Sequence, residues 1–428
     1  MGDTLGFHIL FALLGVGLPL LASFFEFLGV YFNDDDYYRM AKRMGYAMAV
    51  LFITGAISGT IVSMQINLLW PHFMGFANKI IGLPFVLEGF AFTIEAVFLG
   101  VYLFSWDRLD KWTHWWCSVP LVIGSTGSAL LITMVNSFMN APTGFSIYGD
   151  QPVNIHPWQA MFNAAFPYEA LHSIPAYYLT ATFAIAGIMA FLLHKPSVRR
   201  DAERSRYYKK IMTTLLAVAF FFACVVGIMG DLSGKYIAQN EPIKLAASES
   251  IYQTQANAPL RLGGYADDNE LHYAINIPGL LSWLLYGDTH AVVQGLNSFD
   301  PSMWPPLVVH YFLDIMVLIG MFLGAVPLVY FGLYKYKKSL AFSYPVLWFI
   351  MIGGGLAFVA VEMGWMLTEI GRQPYIIRGV MTTAQAVTSA QSVPFFASLF
   401  PVFYLVLFVT TGWLLLSHYR KPMASKAH

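Results

Sequence analysis

Nine separate runs of roughly 20 apolar residues, the length that crosses a ~30 Å hydrocarbon core as a helix, constrain this chain more than any other feature. They extend approximately from Leu5 to Phe32, Met44 to Leu69, Pro84 to Phe104, Cys117 to Phe138, Ala170 to Leu193, Ile211 to Met229, Trp304 to Tyr330, Ser343 to Leu367 and Pro394 to Leu416. Inside a bilayer each backbone N–H and C=O must be satisfied within the protein, so runs of this kind are helices. The expected fold class is all-α, a polytopic membrane protein of about nine transmembrane helices. Composition excludes a soluble fold: 57% of residues are hydrophobic and 11% charged, against about 25% charged in a soluble domain.

Loop charges give the bundle a direction. Eighteen of the 24 Lys and Arg residues fall in alternate loops and the C-terminal tail, seven of them between Lys195 and Lys210, and six fall in the opposite loops. The positive-inside rule then places the N-terminus outside and the C-terminus in the cytoplasm. No basic n-region or small-residue cleavage site precedes the first run, so it is expected to remain as a span. The formal net charge is zero, which leaves no basic field for nucleic acid. Cys117 and Cys224 lie inside apolar runs without CxxC or His spacing; they are expected to be small core residues, not a disulfide or zinc ligands. The whole chain, 1–428, is expected to form one transmembrane domain. Its longest break, residues 230–303, is too polar to span and too long for a mere connector, and lies on the outer side. The triple glycine at 353–355 follows no strand and precedes no phosphate-loop lysine, so close helix packing is its expected role.

Ionisable groups inside spans cost at least ~2.5–3.5 kcal/mol each at the helix centre and so mark function. His8 opens the first span, Glu88 the third and His172 the fifth, while Glu369 follows the eighth, all near the outer face. A buried neutral imidazole can ligate haem iron, and a methionine thioether can complete a low-spin pair. Met316, about 12 residues or ~18 Å into the seventh span, offers itself, although in a chain with 20 Met spacing alone does not single it out. Glu88 and Glu95, two helical turns apart, share a face and suggest a proton path. Ser128 and Asn136 add polar groups in the fourth span, where interhelical bonding is the plainer role. Glu362, Trp365 and Glu369 fall on one stripe of the eighth span; a solvated helix end would explain Glu369 but not Glu362.

These residues sit in segments that resemble a known family. FHILFALLGVGLPLL, LPFVLEGFAFTIEAVF with SWDRL, GSALLITMVNSFMNAP, ALHSIPAYYLTATFAIAG, GDLSGKYIAQNEPIKLAASE, DIMV and VEMGWMLTEIGRQP occur in the order found in subunit I of cytochrome bd quinol oxidase. The resemblance implies that His172 and Met316 ligate a low-spin haem b558. It implies that His8 and Glu369, with Glu88 nearby, serve two high-spin haems, b595 and d (or a third haem b), where O2 is reduced. Trp365 and Arg372 match residues beside the haems, and Glu95, Ser128 and Asn136 match the proton route. Lys244 and Glu249 match quinol-binding residues, and 230–303 resembles the short form of the quinol-binding loop. The implied partners are a second large membrane subunit and a small single-helix subunit, in the cytoplasmic membrane of a prokaryote.

Three departures stand out. Glu88 and Glu95 are seven apart instead of eight, Asp314 stands where familiar members carry Arg, and little chain precedes His8. Two rival readings are a bd-like haem subunit with a donor other than quinol and a secondary transporter. The second predicts inverted repeats and broken midplane helices, and no convincing repeat is present.

Overall fold

The computed structural model describes residues 2–267, 270–390 and 393–420; the basic tail residues Lys421 and Lys426 lie outside them. Among the described residues, nine helices are long and apolar enough to cross a membrane. They are α1 (Gly2–Tyr31), α2 (Asp35–Leu69), α3 (Pro71–Phe104), α4 (Lys111–Asn140), α5 (Phe166–His194), α6 (Ala202–Asn240), α8 (Val309–Tyr336), α9 (Tyr344–Ile370) and α10 (Val393–Arg420), with a short helix α7 (Pro242–Ser248) between α6 and α8. The all-α membrane fold expected from the apolar runs is therefore the fold observed.

The helices outrun their apolar windows. Helix α3 begins at Pro71, so Pro84 and Glu88 lie inside it. Pro84 has no N–H to give to the Ile80 carbonyl and its ring crowds that carbonyl; the strain appears as non-helical backbone at Ile81, φ −112° and ψ 21°. Glu369 sits in the last turn of α9 instead of beyond it, and the polar segment after Gly230 continues α6 to Asn240.

The chain forms two compact units. The first comprises Met1–Met74, Glu88–Ser128 and Val387–His428. Its core holds Leu13, Leu21, Phe25, Met40, Met44 and Tyr102, all almost fully buried. Helices α1 and α2 meet at a tight turn where the Asp34 side chain caps α2 by accepting from Asp36 N at 3.0 Å, and a Cβ on Gly29 would lie 2.7 Å from Tyr38 N. Helix α10 joins them through Thr411 and Thr54, whose hydroxyls are 2.9 Å apart.

The second unit comprises Gly75–Leu87 and Ala129–Ala386. There α5 packs against α9 through glycines. A Cβ on Gly353 would meet Phe183 at 3.0 Å and one on Gly354 would meet the Phe183 carbonyl at 3.0 Å, whereas Gly355 has open space. Two of the three glycines thus do the close packing expected of the run. Residues 241–303 carry α7, short antiparallel pairings such as Leu260–Leu262 with Ile275–Ile277, and a small core of Leu245, Ile251, Ala258, Leu281 and Val293. Helix α7 lays Ala246 and Ala247 against Val309 of α8 and Leu367 of α9, with Met316 alongside.

Large apolar side chains point outward along the spans, among them Phe90, Phe104, Leu328 and Val406, a surface suited to lipid and costly in water. Cysteine placement departs from expectation: Cys224 is exposed and Cys117 half-buried, both as free thiols. Neither is a core residue, because a lipid-facing surface is as apolar as a core and the sequence pattern does not separate them.

Candidate functional site

In the first unit, His8 is oriented by α2. Its Nδ1 lies 2.8 Å from Ser58 Oγ, and that hydroxyl donates its own hydrogen to the Gly55 carbonyl at 3.1 Å. Ser58 must therefore accept from His8 Nδ1–H, which leaves Nε2 as the free lone pair, the tautomer of an imidazole that ligates a metal. Gly59 flanks the ring; a Cβ there would lie 3.1 Å from His8 Cε1.

Helices α3 and α4 approach closely in the same unit. A Cβ on Gly124 would lie 2.9 Å from the Ala91 carbonyl and 3.3 Å from Glu95 Cβ. Ser128 Oγ points to Glu88 Oε1 at 3.4 Å, and Glu95, ~10 Å further along the helix, is 9% exposed. Of the three residues expected to relay protons beside Glu88, Glu95 and Ser128 are thus on facing stretches of two helices, while Asn136 belongs to the second unit.

In the second unit His172 projects from α5 toward α6. Its Nδ1 is buried without a hydrogen bond of normal geometry, near the Val226 carbonyl, and a Cβ on Gly230 would lie 3.3 Å from its Cε1. Met316 on α8 faces Gly364 of α9, where a Cβ would lie 3.1 Å from the sulfur. Trp365 donates to the Tyr177 hydroxyl at 3.1 Å, and Glu362 Oε1 is buried without a partner.

At the end of α9 a polar network closes around Glu369. Arg372 Nη2 donates to Glu369 Oε2 at 2.6 Å and Nη1 to Asn140 Oδ1 at 3.0 Å. Asn136 donates to Glu369 Oε1, and Asn140 donates to Glu169 Oε1 at 2.6 Å. Asn136, Glu369 and Arg372 were expected from the sequence; Asn140 and Glu169 were not, although Glu169 stands one helical turn before His172 and Asn140 one turn after Asn136. Lys244, 5% exposed, pairs with Glu241 at 3.4 Å, and its Cε would lie 3.1 Å from a Cβ on Gly371. Glu249 caps α7 at 9% exposure. Burial, aided by the nearby charge of Asp314, pushes its carboxyl up to about 8.

The family model of cytochrome bd terminal oxidase subunit I matches residues 1–423. The chain belongs to the cytochrome bd oxidase subunit I family. The solved bd oxidase of Geobacillus thermodenitrificans is similar over 99% of this chain and 97% of its own, at 39% identity and a TM-score of 0.93. Two Bacillus subtilis proteins are also similar. One, provisionally named a cytochrome bd menaquinol oxidase subunit I, is 34% identical over 98% of this chain and 95% of its own length. The other, named cytochrome bd ubiquinol oxidase subunit 1, is 28% identical over 100% and 93%. Membership makes this chain a multi-pass subunit of a terminal quinol oxidase, a family that works with haem and pairs subunit I with subunit II. The donors present fit such a group: His8 and His172 are imidazoles, Met316 is a thioether, and each has a glycine where any side chain would crowd it.

One prediction follows from the crowding at His8. Gly59→Ala should alter the high-spin haem spectrum and leave the low-spin band in place, as read by reduced-minus-oxidised difference spectra. A wild-type spectrum would remove His8 from the ligand set.

Proposed function

We propose that this subunit oxidises quinol on the outer face of a prokaryotic cytoplasmic membrane and directs the electrons to O2, with its N-terminus outside and its C-terminus in the cytoplasm. The observation that carries the reading is the set of His8, His172 and Met316, each beside a glycine and each in a span. His172 and Met316 hold haem b558, and His8 and Glu369 serve the high-spin haems b595 and d. When bound, these haems supply the one-electron steps and the oxygen reduction.

The chain's own groups do the rest. Lys244 and Glu249 bind quinol, and Glu249 takes up its protons one at a time and passes them to the outer side. Arg372 and Asn136 hold the Glu369 carboxylate in place, and Trp365 is fixed by Tyr177. Glu88, Glu95, Ser128 and Asn136 carry the protons for water formation from the cytoplasm. Release on one side and uptake on the other generate a proton-motive force without a pump. A second large subunit and a small single-helix subunit complete the enzyme, and the names of the two Bacillus relatives make menaquinol and ubiquinol the donors to compare.

The complex purified with its partners should show haem b bands, together with a chlorin band, in reduced-minus-oxidised spectra, and should consume O2 with added quinol. A colourless preparation that yields no haem on extraction would sink the oxidase reading. Haem bands with no quinol-driven O2 uptake would favour a different donor.

A further inference from the structure

His310 lies in the first turn of α8 and is completely buried. Each ring nitrogen faces a backbone carbonyl of the preceding segment: Nδ1 is 3.0 Å from Ser248 O, and Nε2 is 3.0 Å from Gly263 O. A neutral imidazole carries one N–H, and its other nitrogen presents a lone pair that a carbonyl oxygen repels. Holding both carbonyls therefore takes the imidazolium. One turn further on, Asp314 supplies the counter-charge. Its Oδ2 is 3.6 Å from His310 Nε2 and accepts the Gly263 N–H at 2.5 Å. The start of a helix disfavours a cation, which the two carbonyls and the carboxylate offset.

Other ionisable groups at this corner include Glu249 at the end of α7, beside Asp314, Arg261, which donates to the Ser250 carbonyl at 2.5 Å, Tyr311, whose hydroxyl accepts from Ala266 N at 2.9 Å, and His272, which pairs with Asp267 at 2.8 Å on the hairpin that carries Ala266. Ser248 directly precedes Glu249, so the His310 contact fixes the backbone that carries this carboxyl.

We propose that His310, with Asp314, is a positioning residue of the quinol site: a buried imidazolium clasp that fastens Ser248 and Gly263 to the helix bearing Met316 and so sets the place of Glu249. The inference rests on the reading of residues 230–303 as the quinol-binding segment.

The test is hydrogen–deuterium exchange of the amides in residues 246–266, in the intact complex at one near-neutral pH, corrected for intrinsic exchange. His310→Gln, which loses the ring that spans both carbonyls, should lower protection about tenfold. Asp314→Asn keeps an acceptor for Gly263 N–H but loses the counter-charge, so it should lower protection in the same segment by less. His310→Gln should also raise KM for quinol more than it lowers kcat, with the low-spin haem band unchanged. The proposal is overturned by a His310→Gln protein that retains the protection, or by one that loses it with KM unchanged. Failure of the quinol reading shows elsewhere, as Glu249→Ala with undiminished turnover, and leaves the exchange result intact.

Discussion

Replacing Met316 with leucine should abolish most of the low-spin haem b signal while leaving the high-spin bands in place. Leucine nearly conserves the volume, so the helix packing of α8 survives, but it has no sulfur to donate. If His172 and Met316 together hold the low-spin haem as proposed, His172 alone would leave it high-spin. Turnover with quinol should fall by at least tenfold, about 1.4 kcal/mol of barrier, because the first electron acceptor is altered. Gly364→Ala gives an independent reading of the same contact. Its Cβ would lie 3.1 Å from the Met316 sulfur, so the thioether must shift and the low-spin band should move or broaden without vanishing. A leucine variant with an unchanged b558 band would take Met316 out of the ligand set.

Hydropathy found all nine spans because it reads exposure to lipid, and it misplaced their ends for the same reason. The segment DLSGKYIAQN is polar, yet it continues α6 to Asn240. Pro84 reads as a start signal, yet it lies within α3 just past the kink at Ile81, since a membrane helix tolerates an interior proline. The residues proposed as haem ligands, His8, His172, Met316 and Glu369, were named through family motifs. Their surroundings were less legible. Glu169 and Asn140 are single polar residues whose partners lie 29 and 232 positions away, a distance that no local pattern spans. His310 and Asp314 show the i, i+4 spacing in the sequence, but the carbonyls that give the pair its meaning are 62 and 47 residues removed. Ser58, which decides the tautomer of His8, is an ordinary serine in an apolar run until α1 and α2 are packed together.

Glu249→Ala should lower quinol oxidation by at least tenfold, about 1.4 kcal/mol, while haem content and the low-spin band persist. Quinol can lose electrons only as it loses protons, so a base must stand beside it on the releasing side. Burial and the Asp314 charge push the Glu249 carboxyl up to about 8, so at neutral pH most copies hold a proton and the accepting carboxylate is the minority form. Accordingly, kcat/KM for quinol should rise with pH, reach half its plateau at about pH 8 and level off above that. Glu249→Gln, unable to accept a proton at any pH, should be low throughout and lack this limb. Asp314→Asn removes the neighbouring negative charge, lowers the proton affinity of Glu249 and should shift the limb to lower pH. Helix α7, which carries this carboxyl at its end, packs Ala246 and Ala247 beside Met316, so the proposed proton acceptor and the proposed haem ligand lie on one contact surface. Undiminished turnover in Glu249→Ala would place the quinol site elsewhere; a lost limb with intact haem would tie proton acceptance to this one side chain.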